Sequence, residues 1–149
     1  MQMIQITSEK MREGIRRHIR PLGGFERAVV LDAEPGYARF SIPISPESLN
    51  LYGIVHGGFL FTLCDMAAGI ASYAYGMTNT TLQGSVNFLK AATLEDKTLY
   101  VECRSAHKGR STVINQVEIS TEGGKRIAIG TFSMFLLRPI EEEPQGPRG

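Results

Sequence analysis

The chain has 149 residues, with 16 basic and 15 acidic side chains and a formal net charge of +1. That length suits one domain with a substantial core, and the balanced charge, without a basic stripe or an acidic block, argues against nucleic acid as a partner. Cys64 and Cys103 lie far apart without CxxC spacing. They read as reduced core thiols of a cytoplasmic protein, not as a disulfide or a metal site. The N-terminus has no apolar signal core, and Glu9 and Glu13 in its arginine-rich segment argue against a transit peptide.

In residues 8–20, Met11, Ile15 and Ile19 recur at helical spacing, while Lys10, Arg12, Arg16, Arg17 and Arg20 fill the other faces. This predicts a short amphipathic helix, stopped by Pro21 and Gly23-Gly24. Residues 27–34 and 37–44 predict a hairpin around Pro35-Gly36, a pair suited to a type II turn. Residues 45–55 form a loop that feeds an apolar run, 57–76, in which Asp65 is the single formal charge. The run is long enough for a membrane span. However, a central aspartate would cost roughly 2.5–3.5 kcal/mol there. No basic cluster flanks the run, so a helix buried within a soluble, non-membrane protein is expected. An unpaired buried carboxylate costs several kcal/mol, which makes Asp65 the first candidate for chemistry.

Four further strands are predicted at 80–90, 97–107, 111–121 and 125–137. Their links, at Glu95-Asp96, Lys108-Gly109-Arg110 and Glu122-Gly123-Gly124, favour an antiparallel meander. Val113, Asn115, Val117 and Ile119 alternate with Thr112, Ile114, Gln116 and Glu118, as one-faced burial requires. In the last strand Ile127, Ile129 and Phe135 share one face, and Ala128, Phe132, Met134 and Leu136 the other. That strand should cover the helix on one side and another layer or subunit on the other. Residues 141–149 are charged and rich in Pro and Gly, and are expected to fray.

The sum is an α+β fold, a curved antiparallel sheet of about six strands wrapped around one long central helix. Such a sheet has two open edges, and a homodimer would remove one. The expected division is 1–26 as N-terminal helix and linker, 27–139 as the main domain and 140–149 as a disordered tail.

One series of residues carries a likeness beyond pattern: Asn50-x-x-Gly53-x-x-His56-Gly57-Gly58, then Asp65 within Leu63-Cys64-Asp65-Met66-Ala67. Val86-Asn87-Phe88-Leu89-Lys90-Ala91 and Lys108-Gly109-Arg110 follow in the same order. Over residues 27–137 the chain resembles the hotdog-fold thioesterases, specifically the phenylacetic-acid-pathway (PaaI-like) branch. The resemblance implies a hotdog fold and hydrolysis of acyl-CoA thioesters at a dimer interface. It also implies a homotetramer, a link to phenylacetate degradation and no cofactor, since coenzyme A is part of the substrate.

Each site residue can be argued on its own chemistry. Gly57 and Gly58 open the helix, so their N–H groups lack intrahelical acceptors and point at any developing oxyanion. The resemblance places that role on Gly57, with Gly58 in substrate binding. Asp65 would activate water or attack the carbonyl itself. It lies about 12 Å from Gly57 along a helix axis, so a site that uses both should join two subunits.

Asn50 could bond the attacking water, the carbonyl or the His56 region. His56 could protonate the departing thiolate, though a histidine before a helix more often orders its loop. By the resemblance, a Ser or Thr near Thr81 assists the carboxylate, with Thr80 as the alternative register and Gln83 a further polar contact on Thr81's face. Lys90, Lys108, Gly109 and Arg110 are candidates for the coenzyme A phosphates. The scattered histidines predict no metal site. Two other readings stand beside hydrolysis: a hotdog hydratase or dehydratase, and a non-catalytic acyl-CoA-binding module.

Overall fold

Alternating apolar residues make the strands at 37–43, 98–108 and 112–121 one-faced, and the long apolar helix supplies the surface that those faces cover. The computed structural model describes residues 8–142. Helix α1 is Glu9–His18 and α2 is Gly57–Tyr73. The strands are β1 (Val29–Glu34), β2 (Tyr37–Pro43), β3 (Met77–Phe88), β4 (Thr98–Lys108), β5 (Thr112–Thr121) and β6 (Arg126–Pro139). They form one six-stranded antiparallel sheet in the order β1-β2-β4-β5-β6-β3.

The inner face of the sheet presents Leu99, Val101, Cys103, Val117, Ile119, Phe132 and Met134 to α2, which buries Phe59, Leu63, Cys64, Ala67, Ala68 and Ala71 in return. Each large side chain so buried contributes roughly 1.5–3 kcal/mol. Both cysteines are free and fully buried. Burial pushes each thiol up to about 12, so both stay neutral. No helix among the described residues is long and apolar enough to cross a membrane.

The hairpin turn is as predicted, with Gly36 at φ 77°. Two expectations need correction. First, β3 does not neighbour β4 in a meander; it pairs with β6 at the far edge. The link is all of 89–97, not the two residues Glu95-Asp96, and it contains its own helical turn at Leu94–Asp96. Lys125 ties this crossover down by donating to Ala91 O at 3.1 Å and Asp96 Oδ2 at 3.0 Å. The Thr93 N–H and then Lys125 hold the Asp96 carboxyl below its usual range.

Second, α2 is not enclosed on all sides. Phe61, Met66 and Tyr73 are exposed on one face, because a single sheet covers only one side of a helix. Helix α1 forms as expected; it buries none of its residues, and Met11, Ile15 and, at its C-cap, Ile19 are open. On β6 Phe135 is also open, as a second layer would require, whereas Ile127, expected on the same face, is fully buried in the core. Ile140–Glu142 form a short 3-10 turn, and the rest of the tail expected to fray lies outside the described residues.

One polar cluster pins α2 to the sheet. Asn115, fully buried on the inner face of β5, donates from Nδ2 to Ser72 Oγ at 3.1 Å and to Phe132 O at 3.4 Å. It accepts from Ser105 Oγ at 2.8 Å. Buried polar atoms are costly once a partner is removed, so Asn115→Ala should lower stability by about 1–3 kcal/mol or more. Urea unfolding checks this, and an unchanged midpoint would show that the cluster holds nothing.

Candidate active site

Helix α2 starts where it does because His56 caps it. The Gly58 N–H donates to His56 Nδ1 at 2.8 Å, and the Leu60 N–H donates to His56 O at 3.1 Å. The His56 N–H in turn donates to Ser48 O at 2.8 Å. With Nδ1 accepting, the proton of the neutral ring sits on Nε2. The cap separates the two glycines. The Gly58 N–H is already used, whereas no described residue accepts from the Gly57 N–H. Of the two glycines, it is therefore Gly57 that presents a free donor at the positive end of the helix dipole.

A cleft of about 250 Å³ opens beside it, lined by Val55, Gly57, Leu60, Phe88 and Lys90 among others. A methyl group on Gly57 would sit 3.4 Å from Phe88 Cζ, so the ring forms a close wall over the helix start. Asn50 shapes the approach. Its Oδ1 accepts from the Tyr52 N–H at 2.9 Å and the Ile54 N–H at 3.1 Å, which folds the loop back toward the helix. The Asn50 carbonyl is thus spent on the backbone.

Asp65 lies on the partly open face of α2, half-buried. Thr81 Oγ1 donates to Asp65 Oδ1 at 2.5 Å. The register of β3 explains why Thr81 does so and Thr80 does not. Thr81 pairs with Met134, an inner-face residue, while Thr80 pairs with the outward Phe135. The expectation for Gln83 fails for the same reason. The register shifts between Thr81 and Gln83, and Gln83 pairs with Ser133 instead of another inner-face residue. A bulge breaks the two-residue period, so Gln83 turns away from Thr81's face.

A model of the family described as Thioesterase superfamily matches residues 52–128, more than half of the chain. The chain belongs to the thioesterase superfamily. Acyl-coenzyme A thioesterase PaaI of Escherichia coli is 26% identical over 100 residues, covering 67% of this chain and 71% of that one. A hypothetical thioesterase from Streptococcus pneumoniae, solved with coenzyme A, superposes with a TM-score of 0.78 at 33% identity, covering 82% of this chain and 98% of that one. A Streptococcus mutans protein bound to acetyl-CoA gives 0.73 at 34% identity, with the same coverage. The S. pneumoniae protein has also been solved with one aspartate, and separately one threonine, replaced by alanine. Those two positions are 16 apart, the separation of Asp65 and Thr81 here. The protein is a PaaI-like hotdog thioesterase, a thioester hydrolase.

The thioesterase does not gather its four phosphate candidates within one chain. Lys90 borders the cleft at Gly57. Lys108 Nζ instead lies 5.2 Å from the centre of the Tyr75 ring, past the C-terminus of α2. The helix from Gly57 to Tyr73 spans about 24 Å, so Lys108 sits at the opposite end from Lys90. Gly109 donates its N–H to Thr112 O at 2.8 Å, which closes the β4–β5 turn. Two residues near the site were given no role from the sequence: Phe88, the wall over Gly57, and Asn79, whose Nδ2 donates to Gly69 O at 3.2 Å. Phe88 stands inside one of the quoted motifs. Asn79 gave no signal, because only the fold brings it beside α2.

Proposed function

We propose that this thioesterase hydrolyses acyl-CoA thioesters to a free acid and coenzyme A, with Asp65 as general base and the Gly57 N–H as oxyanion donor. The Thr81–Asp65 hydrogen bond carries the reading. It fixes one carboxylate oxygen and leaves the other for water, on a face of α2 that the chain's own sheet does not cover. Water attacks the thioester carbon and gives its proton to Asp65. The tetrahedral oxyanion is held by the Gly57 N–H, the C–S bond breaks, and the departing thiolate regains the proton. His56 and Asn50 position the loop and helix start.

Gly57 and Asp65 lie about 12 Å apart on one helix, too far to meet at one carbon. The site is therefore completed between two copies, Asp65 of one facing Gly57 of the other. Edge strand β3 supports this pairing, since it carries Thr81 and has an unpaired backbone edge. The same arrangement lets Lys90 of one copy and Arg110 of the other serve one coenzyme A, and the open outer face of β6 supports association of dimers into a tetramer. The coenzyme A and acetyl-CoA in the two streptococcal structures favour this substrate class.

The test is to incubate the protein with acetyl-, hexanoyl- and phenylacetyl-CoA and follow free thiol, with mass measured by light scattering. Release of thiol by a dimer or tetramer is expected. A folded protein that releases none from any thioester would overturn the reading. Thr81→Val should slow turnover about tenfold, less than the loss of a base, because it removes one hydrogen bond to the carboxylate. Full activity in that variant would remove Thr81 from the site.

A further inference from the structure

Beyond Asp65 the open face of α2 continues into a groove of about 470 Å³, lined by Met66, Gly69, Ile70, Tyr73, Thr78 and Asn79. That size lies within the roughly 300–1,000 Å³ usual for small-molecule sites. Gly69 is one helical turn past Asp65 on the same face, and Tyr73 one turn further, so the groove runs about 12 Å from the carboxylate. Its two polar members turn their donors to backbone: Thr78 Oγ1 to Arg138 O at 3.2 Å, and Asn79 Nδ2 to Gly69 O at 3.2 Å. The rest of the lining is the Met66 thioether, aliphatic carbon and the Tyr73 phenol, with Asn79 Oδ1 the polar atom nearest the side-chain position of Gly69.

Gly69 is the informative residue. Glycine weakens a helix interior relative to alanine. Here nothing forces the choice, since an added methyl would meet only Asn79 Oδ1, at 4.0 Å. The neighbouring small residues Ala67, Ala68 and Ala71 are fully buried against the sheet, whereas Gly69 opens onto the groove. Leaving out a side chain at this point keeps the groove continuous from Asp65 to Tyr73.

We propose that this groove receives the acyl group of the substrate, that the group is apolar and longer than acetyl, and that Gly69 sets its size limit. The proposal rests on Asp65 marking the reacting carbon. With the carbonyl held there, the acyl chain lies along α2 over Gly69 and ends against Tyr73.

The experiment compares wild type with Gly69→Leu and Gly69→Ala on acetyl-, hexanoyl- and phenylacetyl-CoA. The ratio of kcat/KM for hexanoyl-CoA over acetyl-CoA should fall about tenfold or more in Gly69→Leu, and phenylacetyl-CoA should follow it. Gly69→Ala, which the space accommodates, should give a smaller change in the same direction and guards against a leucine variant that misfolds. An unchanged ratio overturns the proposal. So does an equal loss on all three substrates accompanied by loss of the dimer, which would make the groove a seat for the second copy. If wild type hydrolyses nothing, the reading of Asp65 falls, and calorimetry with hexanoyl-CoA against free coenzyme A still decides the groove. A preference for the acylated form that Gly69→Leu removes supports it, and equal affinities overturn it.

Discussion

Replacing Asp65 by asparagine is expected to cut thioester hydrolysis by about 10²–10⁴-fold, the usual worth of a positioned proton acceptor. The substitution is nearly isosteric, and its amide oxygen can still accept from the Thr81 hydroxyl that now meets Asp65 Oδ1 at 2.5 Å. The side chain is half-buried at the edge of the core, so the fold should survive. Circular dichroism and light scattering should match wild type while thiol release collapses. The neighbour in sequence cannot take over, because burial, the main cause that pushes the Cys64 thiol up, persists in the variant and disfavours the thiolate. Isotopically heavy oxygen supplied as water separates the two roles open to the carboxylate. A base delivers the label only to the product acid, whereas attack through an anhydride allows it into the protein in a single turnover. An asparagine variant that keeps the full rate would end the assignment of Asp65.

Much of this site could be read from local chemistry. A charge alone in an apolar helix must be paired or used, and Asp65 is paired with Thr81 on an open face. A histidine before two glycines is a cap, and His56 caps. The period-two pattern that included Asn115 among valines and isoleucines put it on the buried face, where it is. The failures were those that local pattern cannot reach. Strand order depends on where a crossover lands, and 89–97 carries no sequence mark for passing β6 and β5 to reach β4, which leaves β3 beside β6. Gln83 was misplaced because a bulge is invisible to a two-residue period. The two ends of α2 carry Lys90 and Lys108 apart, which a reading of motifs side by side cannot see.

The largest stability effect should come from Phe132. Its ring is fully buried on the inner face of β6 and meets Phe61 of α2 edge-on, with centroids 5.0 Å apart and planes at 63°. It also fills the space beside Gly84 of β3, its pairing partner, where any Cβ would collide with the ring. Phe132→Ala should cost about 3–5 kcal/mol, visible as a lower urea midpoint. Gly84→Ala should cost about 1–3 kcal/mol by forcing the ring aside. If the two positions share one space, their effects are not additive, and Gly84→Ala in a Phe132→Leu background should cost less than it does alone. The stack joins the three elements that build the site. Phe61 is one turn before Asp65, and Gly84 lies on the strand that carries Thr81, with a bulge between them. Loosening the ring should therefore weaken the Thr81–Asp65 hydrogen bond before the protein unfolds. Phe132→Leu should show this as a fall in kcat at temperatures where circular dichroism is still native. A variant that loses stability but keeps kcat would show that β3 is held in place by its hydrogen bonds to β6 alone.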